Sequence, residues 1–272
     1  MAMRKLLILS TIFASLLFFT IPATSQEVDD EREFSYEKGS ETGPEHWGEI
    51  HKDWAMCGKG EMQSPIDLSH QRVKVLYHLH PLHRSYRPAE ATLKNRGHDI
   101  MLQWEEEAGW IWINKTKYSL KQLHWHSPSE HTINGHRHSL ELHMVHESED
   151  KKIAVVGILY KIGRPDTFLA KLEGYIRKLV DIEEGEEKVG KVDPREIKRG
   201  SRKYYRYMGS LTTPPCTEGV IWTIVHKVRT VSREQVRLLR EAVHDDHEMN
   251  ARPTQEINDR TIGLYRPQKL QY

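Results

Sequence analysis

Cysteine is nearly absent: Cys57 and Cys216 are the only two in 272 residues. That is too few for a scaffold stapled by several bridges. In an exported chain an isolated pair forms one disulfide, and two buried free thiols are the alternative. A charge of one sign is missing as well. Forty Lys and Arg face 39 Asp and Glu, a formal charge of +1, and losing Arg4 and Lys5 with a leader brings it to about −1. Nothing in that balance points to nucleic acid. Long apolar runs are confined to the first residues, so no later segment can span a bilayer. Internal repeats, heptads and Gly/Ser linkers are absent too.

The apolar start reads as a secretory leader over residues 1–25. Arg4 and Lys5 open it, Leu6 to Ile21 form its apolar centre, and Ala23-Thr24-Ser25 supplies small residues before a cut at Gln26. A membrane anchor is the alternative, but the run is short. Residues 26–33 form a loose acidic arm. Residues 34–272 are long enough for one large domain. The expected destination is the secretory route: the cell wall space, or the vacuole or plastid. Asn114-Lys115-Thr116 is the only glycosylation sequon and lies in a polar turn.

Strand patterning dominates the domain. Ala91–Leu93, Ile100–Trp104, Trp110–Ile113, Lys117–His126, Leu140–His146, Ile153–Lys161 and Val220–Val228 read as strands. Helices are expected over Phe168–Val180 and Ser232–Val243, the second opened by Ser232 and Gln235 at capping-box spacing. The mixed-charge stretch Asp181 to Arg206 reads as a solvated loop and helix. The fold class is therefore mainly β, built on one large sheet with few helices.

Histidine, by contrast, is plentiful, with 17 residues. Three stand out: His124 and His126 in Gln122-Leu123-His124-Trp125-His126, and His143 in Glu141-Leu142-His143-Met144-Val145. In a strand, residues two apart share a face. One strand can thus present His124 and His126 to an ion, and a neighbouring strand can add His143. Three imidazoles without a fourth protein ligand describe a catalytic zinc site with an open position. Gln122 and Glu141 share that face and can hold the outer ring nitrogens. His78-Leu79-His80 runs into Pro81, and His136-Arg137-His138 follows an Asn134-Gly135 turn, so neither pair is so supported.

The chain resembles the α-class carbonic anhydrases of plants, from about Phe34 to Pro267. The motifs are Gly43-Pro44-Glu45-His46-Trp47, Gln63-Ser64-Pro65-Ile66-Asp67, Gln122 to His126, Ser129-Glu130-His131-Thr132, Glu141 to His146, Leu211-Thr212-Thr213-Pro214-Pro215-Cys216 and Asn250-Ala251-Arg252-Pro253. The resemblance implies a large twisted, mostly antiparallel sheet with a few short peripheral helices and Zn2+ at the base of a conical cavity. It implies reversible hydration of carbon dioxide to bicarbonate by zinc-activated hydroxide. His124, His126 and His143 would hold the metal, with Gln122 and Glu141 behind them. Thr212 would be the gatekeeper, donating to Glu130, and His98 the proton shuttle. Val145, Val155, Leu211 and Trp222 would form the apolar wall for carbon dioxide, with Tyr36 and Thr213 in the solvent network. Cys57 and Cys216 would be bridged.

The chain also departs from the family. Animal members carry asparagines where Arg96 and Met101 stand here. Asp99 follows His98 directly, and Phe34 replaces an aromatic that is usually tryptophan. These changes bear on the water chain, not on the metal. Two other classes compete with this reading. Storage proteins of the same fold have degraded sites, whereas every ligand position is intact here. A helical zinc-protease motif begins at His146-Glu147 and at His247-Glu248, but Asp150 and Ala251 stand where its second histidine belongs. Partners are limited to small molecules; the oligomeric state is left open.

Overall fold

The computed structural model describes residues 33–180, 182, 185–243 and 249–267. The leader, most of the acidic arm and His247-Glu248 lie outside the described residues. The described strands are β1 (Val73–Val75), β2 (His83–Tyr86), β3 (Ala89–Asn95), β4 (Ile100–Trp104), β5 (Gly109–Ile113), β6 (Thr116–His126), β7 (Thr132–Ile133), β8 (His136–Arg137), β9 (Leu140–Glu147), β10 (Ile153–Ile162), β11 (Glu186–Val192), β12 (Tyr204–Ser210), β13 (Glu218–Val225), β14 (Arg229–Val231) and β15 (Ile262–Tyr265). Helices α1 (Trp47–Ile50), α2 (Met56–Lys59), α3 (Leu169–Leu179) and α4 (Arg233–Glu241) complete it.

One sheet runs in the order β1-β15-β12-β13-β10-β9-β6-β4-β3-β11, with β14 joined to β10, and β5 bridging β6 to β2. Most pairings are antiparallel, but β10 runs parallel to β13 and β14, and β1 parallel to β15, so the sheet is mixed. Alternation sorts its side chains. Leu123 and Trp125 of β6, Leu140, Leu142 and Met144 of β9, and Ala154, Val156 and Ile158 of β10 share one apolar core with α3 and α4. The residues between them point to the other face.

A bulge makes this sorting possible on β6. Tyr118 and Leu120 belong to the same apolar core as Leu123 and Trp125, although the spacing from Leu120 to Leu123 is odd. The register against β9 shifts between Leu120 and Gln122, so Lys121 is the extra residue that resets the phase. Without it, either the first or the second half of the strand would turn its apolar side outward.

The expected strands are all present, though the one expected over Val220–Val228 ends at Val225. Ser232 caps α4 in a reciprocal box with Gln235, as its spacing predicts. In α3, Leu169, Leu172, Ile176 and Leu179 are buried, and the Asp166 carboxylate accepts the leading N–H groups of Phe168 and Leu169. The stretch Asp181 to Arg206 corrects the sequence reading. It contains strand β11, a short 3-10 turn at Pro194–Glu196 and the start of β12. Among the described residues edge strand β11 pairs only with β3, so charges along it stay solvated and hide its period. Asn134 and Gly135 take positive φ (50° and 74°) at the tip of the β7–β8 hairpin, as the dipeptide predicts. Asn114 and Lys115 do the same between β5 and β6, exposed.

Cys57 and Cys216 form a disulfide across 159 residues. It sits in a small aromatic cluster with Phe34, Trp47 and Trp54. Among the described residues no helix is long and apolar enough to cross a membrane.

Candidate metal centre

The site face of β6 and β9 brings the three histidines together. His124 lies opposite His143 in the antiparallel register, and His126 opposite Glu141. The ring centroids stand 5.0 Å apart for His124 and His126, 5.2 Å for His124 and His143, and 4.7 Å for His126 and His143. All three are buried, and one nitrogen from each lies within 4.8 Å of the others.

Each outer ring nitrogen is held by an acceptor. His124 Nδ1 donates to Gln122 Oε1 at 2.8 Å, and His143 Nε2 to Glu141 Oε1 at 3.0 Å. His126 Nδ1 donates to the backbone carbonyl of Asn250 at 2.6 Å. These bonds leave His124 Nε2, His126 Nε2 and His143 Nδ1 with lone pairs turned inward. His126 Nε2 is buried without a hydrogen-bond partner, and so is Glu130 Oε2, which stands 3.7 Å from it and 3.9 Å from His143 Nδ1. Orphaned acceptors converging in a buried space fit a divalent cation, and an all-imidazole donor set fits zinc. Burial drives the His124 pKa well below its ordinary value and keeps the ring neutral. Burial also opposes charge on His126, but the Glu130 carboxylate and the Asn250 carbonyl outweigh it and raise its pKa.

Glu141 does more than its pattern predicts. Its Oε1 also meets His131 Nδ1 at 2.8 Å, and its Oε2 accepts the backbone N–H groups of Glu130 (2.9 Å) and His131 (2.8 Å). His131 Nε2 reaches the Tyr207 hydroxyl at 2.6 Å, which meets Ser64 Oγ at 2.8 Å. A buried chain thus runs from His143 through Glu141, His131 and Tyr207 to Ser64. Burial alone would raise the Glu141 carboxyl, yet His131 and His143 outweigh it and hold it well below the usual carboxylate range. His131, Glu141 and His143 also cluster at metal-ligand distance. The Glu141 oxygens and both His131 nitrogens are already engaged there, so this second cluster is a hydrogen-bond relay.

Four apolar residues gather beside the histidines: Val145, Val155, Leu211 and Trp222. Val145, Val155 and Trp222 lie side by side across β9, β10 and β13. Leu211 joins Val155 and Trp222 in the same buried cluster, and the Trp222 ring stands 4.8 Å from His143. Gly157 of β10 leaves room behind them: a Cβ there would meet Glu141 Oε1 at 3.0 Å and Ile224 Cδ1 at 2.6 Å. Thr212 and Thr213 are buried in the loop after β12, whose Cys216 N–H returns to the Thr213 carbonyl at 2.9 Å. The expected donation from Thr212 to Glu130 is not made, since Glu130 Oε2 accepts nothing; Glu130 Oε1 takes the Arg252 N–H at 3.0 Å.

His98 is enclosed. It lies in the β3–β4 turn only 2% exposed, beneath Phe34 at a ring distance of 5.5 Å, with Tyr36 6.0 Å beyond Phe34. Arg96 and Asp99 form a bidentate buried pair, Nε to Oδ1 at 2.8 Å and Nη2 to Oδ2 at 2.5 Å, so each offsets the other's field at His98. Asp99 Oδ2 lies 3.5 Å from His98 Nε2. Burial would raise the Asp99 carboxyl, but Arg96, His98 and His124 together hold it below the ordinary range. Met101 stands opposite His124 in the β4–β6 register.

Sequence reasoning did not assign roles to Asn250, Arg252, His131, Tyr207 or Gly157. The Asn250–Pro253 motif was visible, but no periodicity links it to His126, 124 residues earlier. Arg252 is buried over the Trp47 ring at 5.5 Å and donates to Gln63 Oε1 and to the Ser64 and Cys57 carbonyls.

Comparison with known proteins agrees with this geometry. Residues 42–266 match the model of the eukaryotic-type carbonic anhydrases. Alpha carbonic anhydrase 7 of Arabidopsis thaliana is 60% identical over 267 residues, covering 95% of this chain and 97% of that protein. A crystal structure of dioscorin complexed with ascorbate superposes with a TM-score of 0.85 at 47% identity, covering 87% of this chain and 99% of the other. The α-carbonic anhydrase of Thermovibrio ammonificans in complex with sulfanilamide gives 0.77 at 34% identity, over 85% and 98%. The chain belongs to the α-class, eukaryotic-type carbonic anhydrase family.

Proposed function

We propose that this carbonic anhydrase hydrates carbon dioxide reversibly at a zinc ion held by His124, His126 and His143. The observation that carries the reading is the convergence of three buried imidazoles, each with its outer nitrogen held by an acceptor and its inner one turned to a common point. Zinc, when bound there, supplies the Lewis acidity that makes hydroxide available near neutral pH. Three neutral ligands preserve the ion's full charge.

The other residues handle substrate and protons. Carbon dioxide is apolar, so Val145, Val155, Leu211 and Trp222 receive it without a charged clamp. Glu130 is a buried carboxylate, and a Thr212 hydroxyl donating to it can only accept from the attacking oxygen, which selects a species that still carries a proton. The reading therefore needs Thr212 to turn onto Glu130, and Glu130 Oε2 stands open to that bond. Tyr36 and Thr213 join the waters around it. His98 takes the product proton, because imidazole titrates near neutrality. Phe34 roofs His98, and Met101 offers the waters no amide. Proton removal therefore limits the maximal rate, which falls below that of the fastest animal enzymes.

The leader over residues 1–25, export through the secretory route and a glycan on Asn114 belong to the same proposal. The disulfide and the exposed turn at Asn114 support them. A storage role would be expected with a broken ligand set, and this set is whole.

Stopped-flow hydration of carbon dioxide, with zinc analysis on the same sample, tests the reading. One zinc per chain and hydration abolished by chelation are expected. His98→Ala should slow turnover in dilute buffer, and added imidazole should restore it. A metal-free preparation that is fully active overturns the metal assignment; normal turnover by His98→Ala in dilute buffer overturns the shuttle.

A further inference from the structure

Asn250 is held between two parts of the site that are far apart in sequence. Its backbone carbonyl accepts His126 Nδ1 at 2.6 Å. Its side-chain Oδ1 accepts the Ser127 N–H at 2.7 Å, and its own N–H returns to the Ser127 carbonyl at 3.1 Å. Its Nδ2 donates twice, to the Trp125 carbonyl at 3.1 Å and to the His98 carbonyl at 2.6 Å. A carboxamide has two N–H donors and one acceptor oxygen, so every hydrogen-bonding group of this side chain is engaged and the residue is buried. The Trp125 and Ser127 contacts grip the backbone on either side of His126. The His98 contact grips a turn that no ladder bond from β6 reaches: the β4–β6 register begins at Met101.

We propose that Asn250 is a positioning residue that sets the His98 turn against the strand carrying the metal ligands, and so fixes the path by which the proton leaves. This inference rests on the shuttle role given to His98 above. Other contacts also hold the turn: Arg96 pairs with Asp99, Phe34 covers the His98 ring, and the Asn95 side chain accepts the Gly97 N–H and donates to the Leu179, Ile182 and Ala242 carbonyls. Asn250 supplies a hydrogen bond that ties His98 to the ligand strand. A single side chain satisfying both sides keeps the separation between His98 and the metal from varying, and proton relay through ordered water depends steeply on that separation.

Substitution separates the two duties of the residue, because the carbonyl that holds His126 is backbone and survives. Asn250→Ala should retain zinc, measured by metal analysis, and should lose about tenfold in hydration rate in dilute buffer. Exchange of labelled oxygen between carbon dioxide and bicarbonate, which does not wait for proton removal, should fall by a much smaller factor. Imidazole should restore the lost rate. In proton NMR the His98 ring signal, identified by its loss in His98→Ala, should broaden or double in Asn250→Ala. The double variant should be no slower in dilute buffer than His98→Ala alone.

Several results overturn the proposal. One is loss of zinc together with rate, which makes Asn250 a support of the metal alone. Another is an equal fall in labelled-oxygen exchange and hydration. A third is an additive double variant. Asn250→Ser, which keeps a small polar group, is measured in the same way; failure of both variants to fold places Asn250 in the folding core and also overturns it. If His98→Ala itself turns over normally, the shuttle reading fails first, and that outcome is distinct from a normal Asn250→Ala beside a slow His98→Ala.

Discussion

The two faces of the sheet are made from the same strands and behave as different materials. Toward α3 and α4, β6, β9 and β10 present Leu, Ile, Val, Met and Trp, and the core there is continuous. Among the described residues it holds a buried histidine, His146, whose Nε2 meets the Tyr86 hydroxyl at 2.8 Å. Toward the site, the same strands present Gln122, His124, His126, Glu141 and His143, each held in a hydrogen bond. The apolar face gains its stability from burial, which is tolerant of direction. The polar face gains little net stability from its bonds and is intolerant of any missing partner. Fold and chemistry are thus separated by one residue of register.

That separation can be broken or sharpened by experiment. The largest effect is expected from His126→Ala. Removing one of three protein ligands should abolish both zinc retention and hydration, while the far-ultraviolet circular dichroism of the variant stays that of the parent. Loss of the β signal would show that the two faces are not separable. Next comes Gly157→Ala, a small change on β10. The added methyl would meet Ile224 Cδ1 at 2.6 Å and Glu141 Oε1 at 3.0 Å, so Ile224 must shift and the Glu141 carboxylate is pressed a few tenths of an ångström off its place beside His143. Zinc affinity should drop about tenfold, as for other lost outer partners, measured by competition with a chelator. Unchanged affinity would mean that Glu141 does not orient His143.

On the opposite face, Leu142→Ala should leave the zinc content of the folded protein intact and lower stability by about 2–5 kcal/mol in a denaturant titration. Altered metal binding per folded chain would blur the comparison. The smallest effect concerns pH. Burial lowers the His146 pKa to about 4, from an ordinary value near 6.5. The unfolded chain therefore binds this proton at a higher pH than the folded one. The contribution is complete above about pH 6.5 and is lost as pH falls toward 4, on the order of 3 kcal/mol in all. His146→Gln should be less stable at pH 7, and the gap from the parent should narrow toward pH 4. A gap independent of pH would refute the assignment.

The long, doubly flanked strands were legible because both of their faces are buried by different things, which leaves a clean alternation. β9 shows it in Leu140, Leu142 and Met144 against Glu141, His143 and Val145. β11 and β12 were not legible. Glu186–Val192 lies at an edge with charges in solvent, and Tyr204–Ser210 carries aromatics on both faces, Tyr204 on one and Tyr205 and Tyr207 on the other, which hides any apolar–polar alternation. The bulge at Lys121 also left no mark, since an inserted residue looks like any other position until a partner strand is aligned to it.

By itself the sequence determined the strand pair, the shared face of His124, His126 and His143, and the Gln122 and Glu141 acceptors, because all of these follow from a period of two over a few residues. Only the tertiary structure decided that the Asn250 carbonyl holds His126. The same is true of Glu141 joining His143 to His131 and Tyr207, and of Phe34 closing over His98. Those contacts link residues that no local period relates. They arise where loops return over the sheet, and which atoms meet there is set by the packing of the whole chain rather than by any stretch of it.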